Sequence, residues 1–119
     1  MKIYMNGRFC SKAEATVSVY DHGLLYGDGV FEGIRAYDTP GGTAVFCLPA
    51  HMKRMVDSCR VYRMELPFSR EALTQAVLDT VAKNNLRSCY IRPLVFRGYR
   101  QLGVEPRTCP VQVIIAAWE

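Results

Sequence analysis

The stretch Tyr26-Gly27-Asp28-Gly29-Val30-Phe31-Glu32-Gly33-Ile34-Arg35-Ala36-Tyr37 constrains this chain more than any other. Glycines punctuate it, and from Val30 onward its residues alternate. In a strand, Phe31, Gly33, Arg35 and Tyr37 fall on one face and Val30, Glu32, Ile34 and Ala36 on the other. A second run, Tyr90-Ile91-Arg92-Pro93-Leu94-Val95-Phe96-Arg97-Gly98, repeats the chemistry, with Tyr90, Arg92, Leu94 and Phe96 on one face. Two strands that bring aromatics and a guanidinium to one face make a pocket wall for a small carboxylate. Lysines are few, and none stands in a context that suggests a catalytic amine.

Size sets the frame for these strands. At 119 residues the chain is one domain by length. A domain of this size buries roughly two thirds of its unfolded surface, enough for a core. Half the residues are hydrophobic and 22% are charged, which argues against disorder. The net charge of +4 is spread among acids with no basic block, so nucleic-acid and membrane-surface binding are disfavoured. Five cysteines, Cys10, Cys47, Cys59, Cys89 and Cys109, are odd in number, widely spaced and without a C-x-x-C pair. That pattern points to free thiols in a reducing compartment and away from zinc or a disulfide framework. The first residues lack the apolar core of a signal peptide, and no apolar run is long enough to span a membrane. A cytoplasmic location is the resulting expectation.

Local chemistry predicts the remaining elements. Asn6-Gly7 between Ile3-Tyr4-Met5 and Arg8-Phe9-Cys10 reads as a tight type I′ hairpin. Thr16 to Val19 is a short β-prone piece, while Asp21-His22-Gly23 and Tyr26 to Gly29 read as loops. Asp38 to Gly42 is a turn, from which Thr43 to Cys47 returns as a strand. Pro49 suits the first turn of a helix whose stripe is Met52, Met55, Val56, Cys59 and Tyr62, ending near Met64. Ser69 is a good N-cap for a second helix, with Glu71 in its first turn, a stripe of Leu73, Ala76, Val77 and Val81, and Asn84-Asn85 to close it. Pro93 removes a ladder donor, so the Cys89–Phe96 strand is expected to have an edge or a bulge there. Gly98 to Pro110 is a loop, and Val111 to Ala117 is a strand apolar on both faces after which the chain looks cut short. Strands, two helices, then strands make an α+β fold: an antiparallel sheet with two helices packed to one side.

Arginine is the residue type that carries chemistry here, since its planar fork grips carboxylate or phosphate with two parallel hydrogen bonds. Arg92 sits mid-strand among apolar residues, so it either pairs with an acid or waits for an anionic ligand. Arg54 lies beside the apolar stripe of the first helix and, taken alone, reads as a surface residue. Arg35 suits a sheet-edge ion pair, and Tyr26 and Phe31 suit ordinary core aromatics. His22 follows Asp21, but adjacent residues rarely face each other as an acid–base pair. No serine or cysteine stands in a nucleophile motif. Two widely separated histidines do not make a metal site. Gly27-Asp28-Gly29 is no dinucleotide fingerprint, for it leads into a strand.

Together these motifs resemble the N-terminal small domain of the class IV aminotransferases, the pyridoxal-phosphate enzymes of fold type IV. They are most similar to the branched-chain amino acid aminotransferases. The resemblance rests on Met5-Asn6-Gly7, the Tyr26–Tyr37 run, His51-x-x-Arg54-x-x-x-Ser58, Tyr90 to Gly98, and Leu102-Gly103-Val104-x-Pro106, in order across nearly the whole chain. D-amino acid aminotransferases and aminodeoxychorismate lyases share the layout but typically lack the Ile-Arg-Pro-Leu-x-Phe run. The resemblance implies that Arg54 anchors the phosphate of pyridoxal 5′-phosphate. It implies a substrate pocket with Phe31, Gly33, Tyr90 and Arg92, where Arg92 takes the distal carboxylate of glutamate or 2-oxoglutarate and the aromatics accept a branched side chain. Tyr26 and Val104 are similar to residues that the family places at the partner subunit's pocket, which implies a homodimer. The family's cofactor-bearing lysine lies on a C-terminal domain beyond residue 119, and Lys2, Lys12, Lys53 and Lys83 do not match it. The implied activity is therefore transfer of the amino group of leucine, isoleucine or valine to 2-oxoglutarate, with residues 1–119 alone inactive. Two alternatives stand beside it. One is a non-enzymatic module of the same fold that self-associates or binds carboxylates. The other is a different class IV activity.

Overall fold

A computed structural model describes all 119 residues. One antiparallel sheet runs through the molecule in the order β2-β1-β7-β6-β4-β5, with the short β3 also paired to β6. The strands are β1 (Lys2–Met5), β2 (Arg8–Ser11), β3 (Gly29–Phe31), β4 (Ile34–Thr39), β5 (Gly42–Val45), β6 (Cys89–Arg97) and β7 (Val111–Trp118). Helices α2 (Leu48–Val61) and α3 (Arg70–Lys83) cover one face, and the one-turn α1 (His22–Tyr26) precedes β3. The expected α+β architecture holds, with one extra short helix.

The hairpin between β1 and β2 forms because Asn6 and Gly7 both accept positive φ, 51° and 92°. Asn6 also pins the hairpin to the sheet: its Oδ1 accepts from the Val113 N–H at 2.8 Å and its own N–H donates to the Val113 carbonyl at 2.9 Å. Pro49 sits in the first turn of α2, and the Ser69 hydroxyl accepts from the Ala72 N–H at 3.1 Å to cap α3. A lost cap of this kind costs about 1 kcal/mol. Asn84 caps the far end of α3, followed by Asn85 at φ 53°.

Strands β3 and β4 are one alternating strand in a single register. Gly29, Val30 and Phe31 face Phe96, Val95 and Leu94, and Ile34, Arg35 and Ala36 face Ile91, Tyr90 and Cys89. Continuing that register puts Glu32 opposite Pro93 and Gly33 opposite Arg92. The Glu32 N–H donates to the Pro93 carbonyl at 3.0 Å, but Pro93 has no N–H to return. The proline therefore costs one ladder bond at the heart of the sheet. The expected edge or bulge is corrected: β6 is central, paired with β7 along its whole length and with β3 and β4 on its other side. The alternation of the Val30–Tyr37 run is realised, with Val30, Glu32, Ile34 and Ala36 buried and Phe31, Gly33, Arg35 and Tyr37 exposed.

The core lies between the sheet and the two long helices. Ile34, Ile91, Val95, Val113 and Ile115 pack against Met52, Met55, Cys59, Leu73, Val77 and Val81. Truncating a residue such as the fully buried Ile91 to alanine costs about 2–5 kcal/mol, transfer and cavity terms together. Four local expectations differ from the structure. The turn expected over Asp38–Gly42 shrinks to Pro40 and Gly41, since β4 runs to Thr39 and β5 spans Gly42–Val45 rather than Thr43 to Cys47. Thr16–Val19 forms no strand, since it meets no sheet partner. His22, Gly23 and Tyr26, read as parts of two loops, belong to α1, which Gly27 closes at φ 78°. Helix α2 stops at Val61, ahead of Met64, where Arg63 turns to φ 51°.

Candidate functional site

The sheet face turned away from α2 and α3 carries the polar and aromatic residues of the two runs. Phe31, Arg35, Tyr90, Arg92 and Leu94 share it, as the pairings of β3, β4 and β6 require. Trp118, Ala116 and Ile114 continue it on β7, opposite Tyr90, Arg92 and Leu94. At its end, α1 approaches so closely that a side chain at Gly23 would meet Phe96 Cβ at 2.9 Å.

Arg92 is the centre of this face. Its guanidinium lies over the Phe31 ring at 4.3 Å and beside the Tyr90 ring at 5.4 Å. Its Nη2 donates to the Tyr90 hydroxyl at 2.8 Å, and its Nε is buried without an acceptor. No acid pairs with it, so the structural salt bridge left open by the sequence is absent. The Tyr90 ring is held from the other side by Trp118, with centroids 5.1 Å apart. Gly33 makes the arrangement possible: a Cβ there would overlap the Tyr90 hydroxyl and stand 3.1 Å from its Cζ. Phe31, Gly33, Tyr90 and Arg92 thus form one contiguous group, as the sequence suggested. Phe31 is 60% exposed and Tyr26 46%, so the reading of both as core aromatics is corrected. Arg35 forms no ion pair, and its strand is interior to the sheet rather than at an edge. Beside Phe31, a hollow of about 260 Å³ opens between α1 and the sheet, lined by Val17, Leu24, Phe31, Leu94 and Phe96 among others.

Arg54 belongs to a second group, reached from the helix side. Its Nε and Nη2 donate to the two oxygens of Glu32 at 2.8 and 2.6 Å, and His51 Nδ1 lies 2.8 Å from the same carboxylate. Burial works against the Glu32 charge, but the bonds from Arg54 and His51 outweigh it and hold the carboxyl below the usual glutamate range. Sequence reasoning missed Glu32. The signal was present: an acid on the apolar face of an alternating strand needs a cationic partner, and His51 and Arg54 stand one helical turn apart.

Tyr26 and Val104 lie apart from both groups. The Tyr26 hydroxyl donates to the Leu102 carbonyl at 2.6 Å, which ties α1 to the exposed loop carrying Val104. Arg97, only 4% exposed, braces the same loop, donating to the carbonyls of Pro106, Tyr62 and Arg63 at 2.9, 3.2 and 2.9 Å. Asp28 faces Arg97 Nε at 3.5 Å and His22 Nδ1 at 2.9 Å, so His22 pairs with Asp28 and not with its neighbour Asp21. The lysines sit elsewhere. Lys53 pairs with Asp57 at 2.7 Å, and Lys83 lies over the Phe9 ring.

Similarity to known proteins bears on these groups. Residues 29–119 fit the family model of the class IV amino-transferases. The chain is 47% identical over 116 residues to the branched-chain-amino-acid aminotransferase of Pseudomonas aeruginosa, covering 98% of this chain and 38% of that one. It superposes with a TM-score of 0.96 on the T.th. branched-chain amino acid aminotransferase crystallised with N-(5′-phosphopyridoxyl)-L-glutamate. That pair is 50% identical, covering 99% of this chain and 40% of the other. The Escherichia coli enzyme superposes with a TM-score of 0.94 at 44% identity, covering 98% and 39%. The chain spans about two fifths of the length of the proteins it matches. A family model met over most of the sequence, and a fold shared with solved members at half identity, establish that this chain belongs to the class IV aminotransferases.

Proposed function

We propose that this chain is the N-terminal small domain of a pyridoxal-phosphate-dependent branched-chain amino acid aminotransferase, one that moves the amino group of leucine, isoleucine or valine to 2-oxoglutarate. The observation that carries the reading is Arg92: a guanidinium stacked on Phe31, bonded to Tyr90 and left without an acid. Such a cation, desolvated on one side and unneutralised, favours a carboxylate ligand. The hollow beside Phe31 is apolar and suits an aliphatic side chain. The two features together match substrates that carry either a second carboxylate or a branched hydrocarbon.

The residues of this chain bind and orient; the proton-moving amine is proposed to lie beyond residue 119. Tyr90 fixes Arg92 through its hydroxyl, and Gly33 keeps that hydroxyl in place. Arg54, with Nη1 free and its side chain 61% exposed, has donors to spare for a phosphate and fits that end of pyridoxal phosphate. When bound, the cofactor supplies the carbonyl that exchanges the amino group and the sink for the electrons released at the substrate α-carbon. Tyr26 and Val104, both exposed, are assigned to the pocket of a second subunit in a homodimer. A cytoplasmic location accompanies the assignment. Residues 1–119 alone are inactive on this reading.

The test uses the longest polypeptide of the reading frame containing residues 1–119. Supplied with pyridoxal phosphate, it converts leucine and 2-oxoglutarate to the branched 2-oxo acid and glutamate. The separate 119-residue chain gives no turnover and no borohydride-fixed adduct at a single lysine. Turnover by the short chain, or preference of the long one for D-amino acids, would overturn the assignment.

A further inference from the structure

Glu32 is buried on the helix-facing side of the sheet, flanked on its strand by the core residues Val30 and Ile34. A carboxylate in that place is costly unless every oxygen is paired. Both are: Oε1 takes Arg54 Nε, and Oε2 takes Arg54 Nη2 and faces His51 Nδ1. Two parallel bonds from one edge of a guanidinium fix its plane as well as its place. Nη2 also lies 3.1 Å from His51 Nδ1, while Nη1 with its two hydrogens takes no partner in the protein, on a side chain that is 61% exposed. A cation needed only to neutralise Glu32 could have been a lysine. The side-on grip selects an orientation, and that orientation leaves an N–H edge prepared for an anion.

We infer that Glu32, assisted by His51, is a positioning residue for Arg54, holding its guanidinium so that the free edge meets the cofactor phosphate. The inference rests on the reading of Arg54 as a phosphate contact and adds the device that aims it. Without Glu32 the long arginine side chain samples several rotamers. If the competent one falls to a tenth of the population, apparent phosphate affinity falls about tenfold. Contacts to the pyridine ring are not affected, because Glu32 acts only through Arg54.

The experiment measures dissociation constants of pyridoxal 5′-phosphate and of pyridoxal, which lacks the phosphate, for the full-length apoprotein by absorbance titration. The ratio of the two is the phosphate preference. Arg54→Gln should lower it, and Glu32→Gln and Glu32→Asp should each lower it about tenfold with pyridoxal affinity within about twofold of the parent. In an Arg54→Gln background, Glu32→Asp should have no further effect. An unchanged ratio in Arg54→Gln overturns the phosphate reading and the inference with it. A lowered ratio there, with Glu32→Gln and Glu32→Asp at the parent value, overturns the inference alone. Equal loss of both ligands in the Glu32 variants also overturns it, since that marks a purely structural acid. If Glu32→Gln does not fold, Glu32→Asp, which retains the charge and retracts it by one methylene, decides.

Discussion

Gly33→Ala is a one-methyl perturbation whose consequences follow from the geometry of the open face. The new Cβ would overlap the Tyr90 hydroxyl and crowd Cζ at 3.1 Å. Restoring ordinary contact moves the hydroxyl by about 1 Å. Tyr90 has nowhere better to go, because Trp118 backs its ring at 5.1 Å. A shift of that size stretches the 2.8 Å bond from Arg92 beyond hydrogen-bonding range. The bond that orients the Arg92 guanidinium is then lost, and if its competent orientation falls to a tenth of the population, carboxylate affinity should fall about tenfold. Stability should fall by at most about 1.5–3 kcal/mol, the worth of that bond in the folded protein. Gly33 is exposed and its φ is not in the left-handed region, and alanine there restricts the unfolded chain in compensation, worth about 0.4–1 kcal/mol. The assay pairs urea denaturation with the KM for 2-oxoglutarate of the full-length protein. Tyr90→Phe removes the overlapping oxygen, so Gly33→Ala should cost less in that background than in the parent. A Gly33→Ala protein with unchanged KM, or one that loses more than about 3 kcal/mol of stability, would refute the assigned role of the glycine.

Other consequences can be checked alongside it. Arg97→Ala strips the buried hydrogen bonds to Pro106, Tyr62 and Arg63 and should cost about 3–5 kcal/mol in urea unfolding; Arg97→Lys should recover little, since an ammonium lacks the fork. Glu32 titrates below its ordinary value when folded. Its contribution to stability is therefore complete above about pH 4.5 and is lost as pH falls through the lowered value, so Glu32→Gln should flatten the acid side of the stability curve. Burial pushes the Cys59 thiol up to about 11, so at pH 8 only about a thousandth of it is thiolate. Mass-tag alkylation at that pH should label the exposed Cys47 and leave Cys59 untouched in the folded protein.

What was legible in the sequence was what local chemistry decides. Asn6-Gly7 encodes a tight turn by itself, Pro49 and Ser69 begin helices by themselves, and the alternation from Val30 to Tyr37 assigns each side chain to a face without knowledge of the partner strand. Alternation also gave the faces of both runs, but the choice of Phe31, Gly33, Tyr90 and Arg92 from those faces came from the family resemblance, since periodicity alone ranks Arg35, Tyr37, Leu94 and Phe96 with them. What escaped depended on residues distant in the chain. Whether Pro93 sat at an edge or in the centre turned on which strands flank β6, and only the register shows that its missing donor costs a single bond opposite Glu32. Arg97 reads as one more basic residue until three carbonyls from two other segments converge on it. The short helix α1 escaped because five residues carry too little periodicity to compete with the loop signal of Asp21 and Gly23.

The sharpest check sets 2-oxoglutarate against 2-oxopentanoate, which keeps the oxo acid and lacks the distal carboxylate, in the full-length protein and its Arg92→Gln variant. The parent should accept both, and the variant should shift its selectivity away from 2-oxoglutarate and toward 2-oxopentanoate while still accepting leucine. Undiminished preference for 2-oxoglutarate after loss of the Arg92 guanidinium would show that the open face of this sheet does not receive the carboxylate.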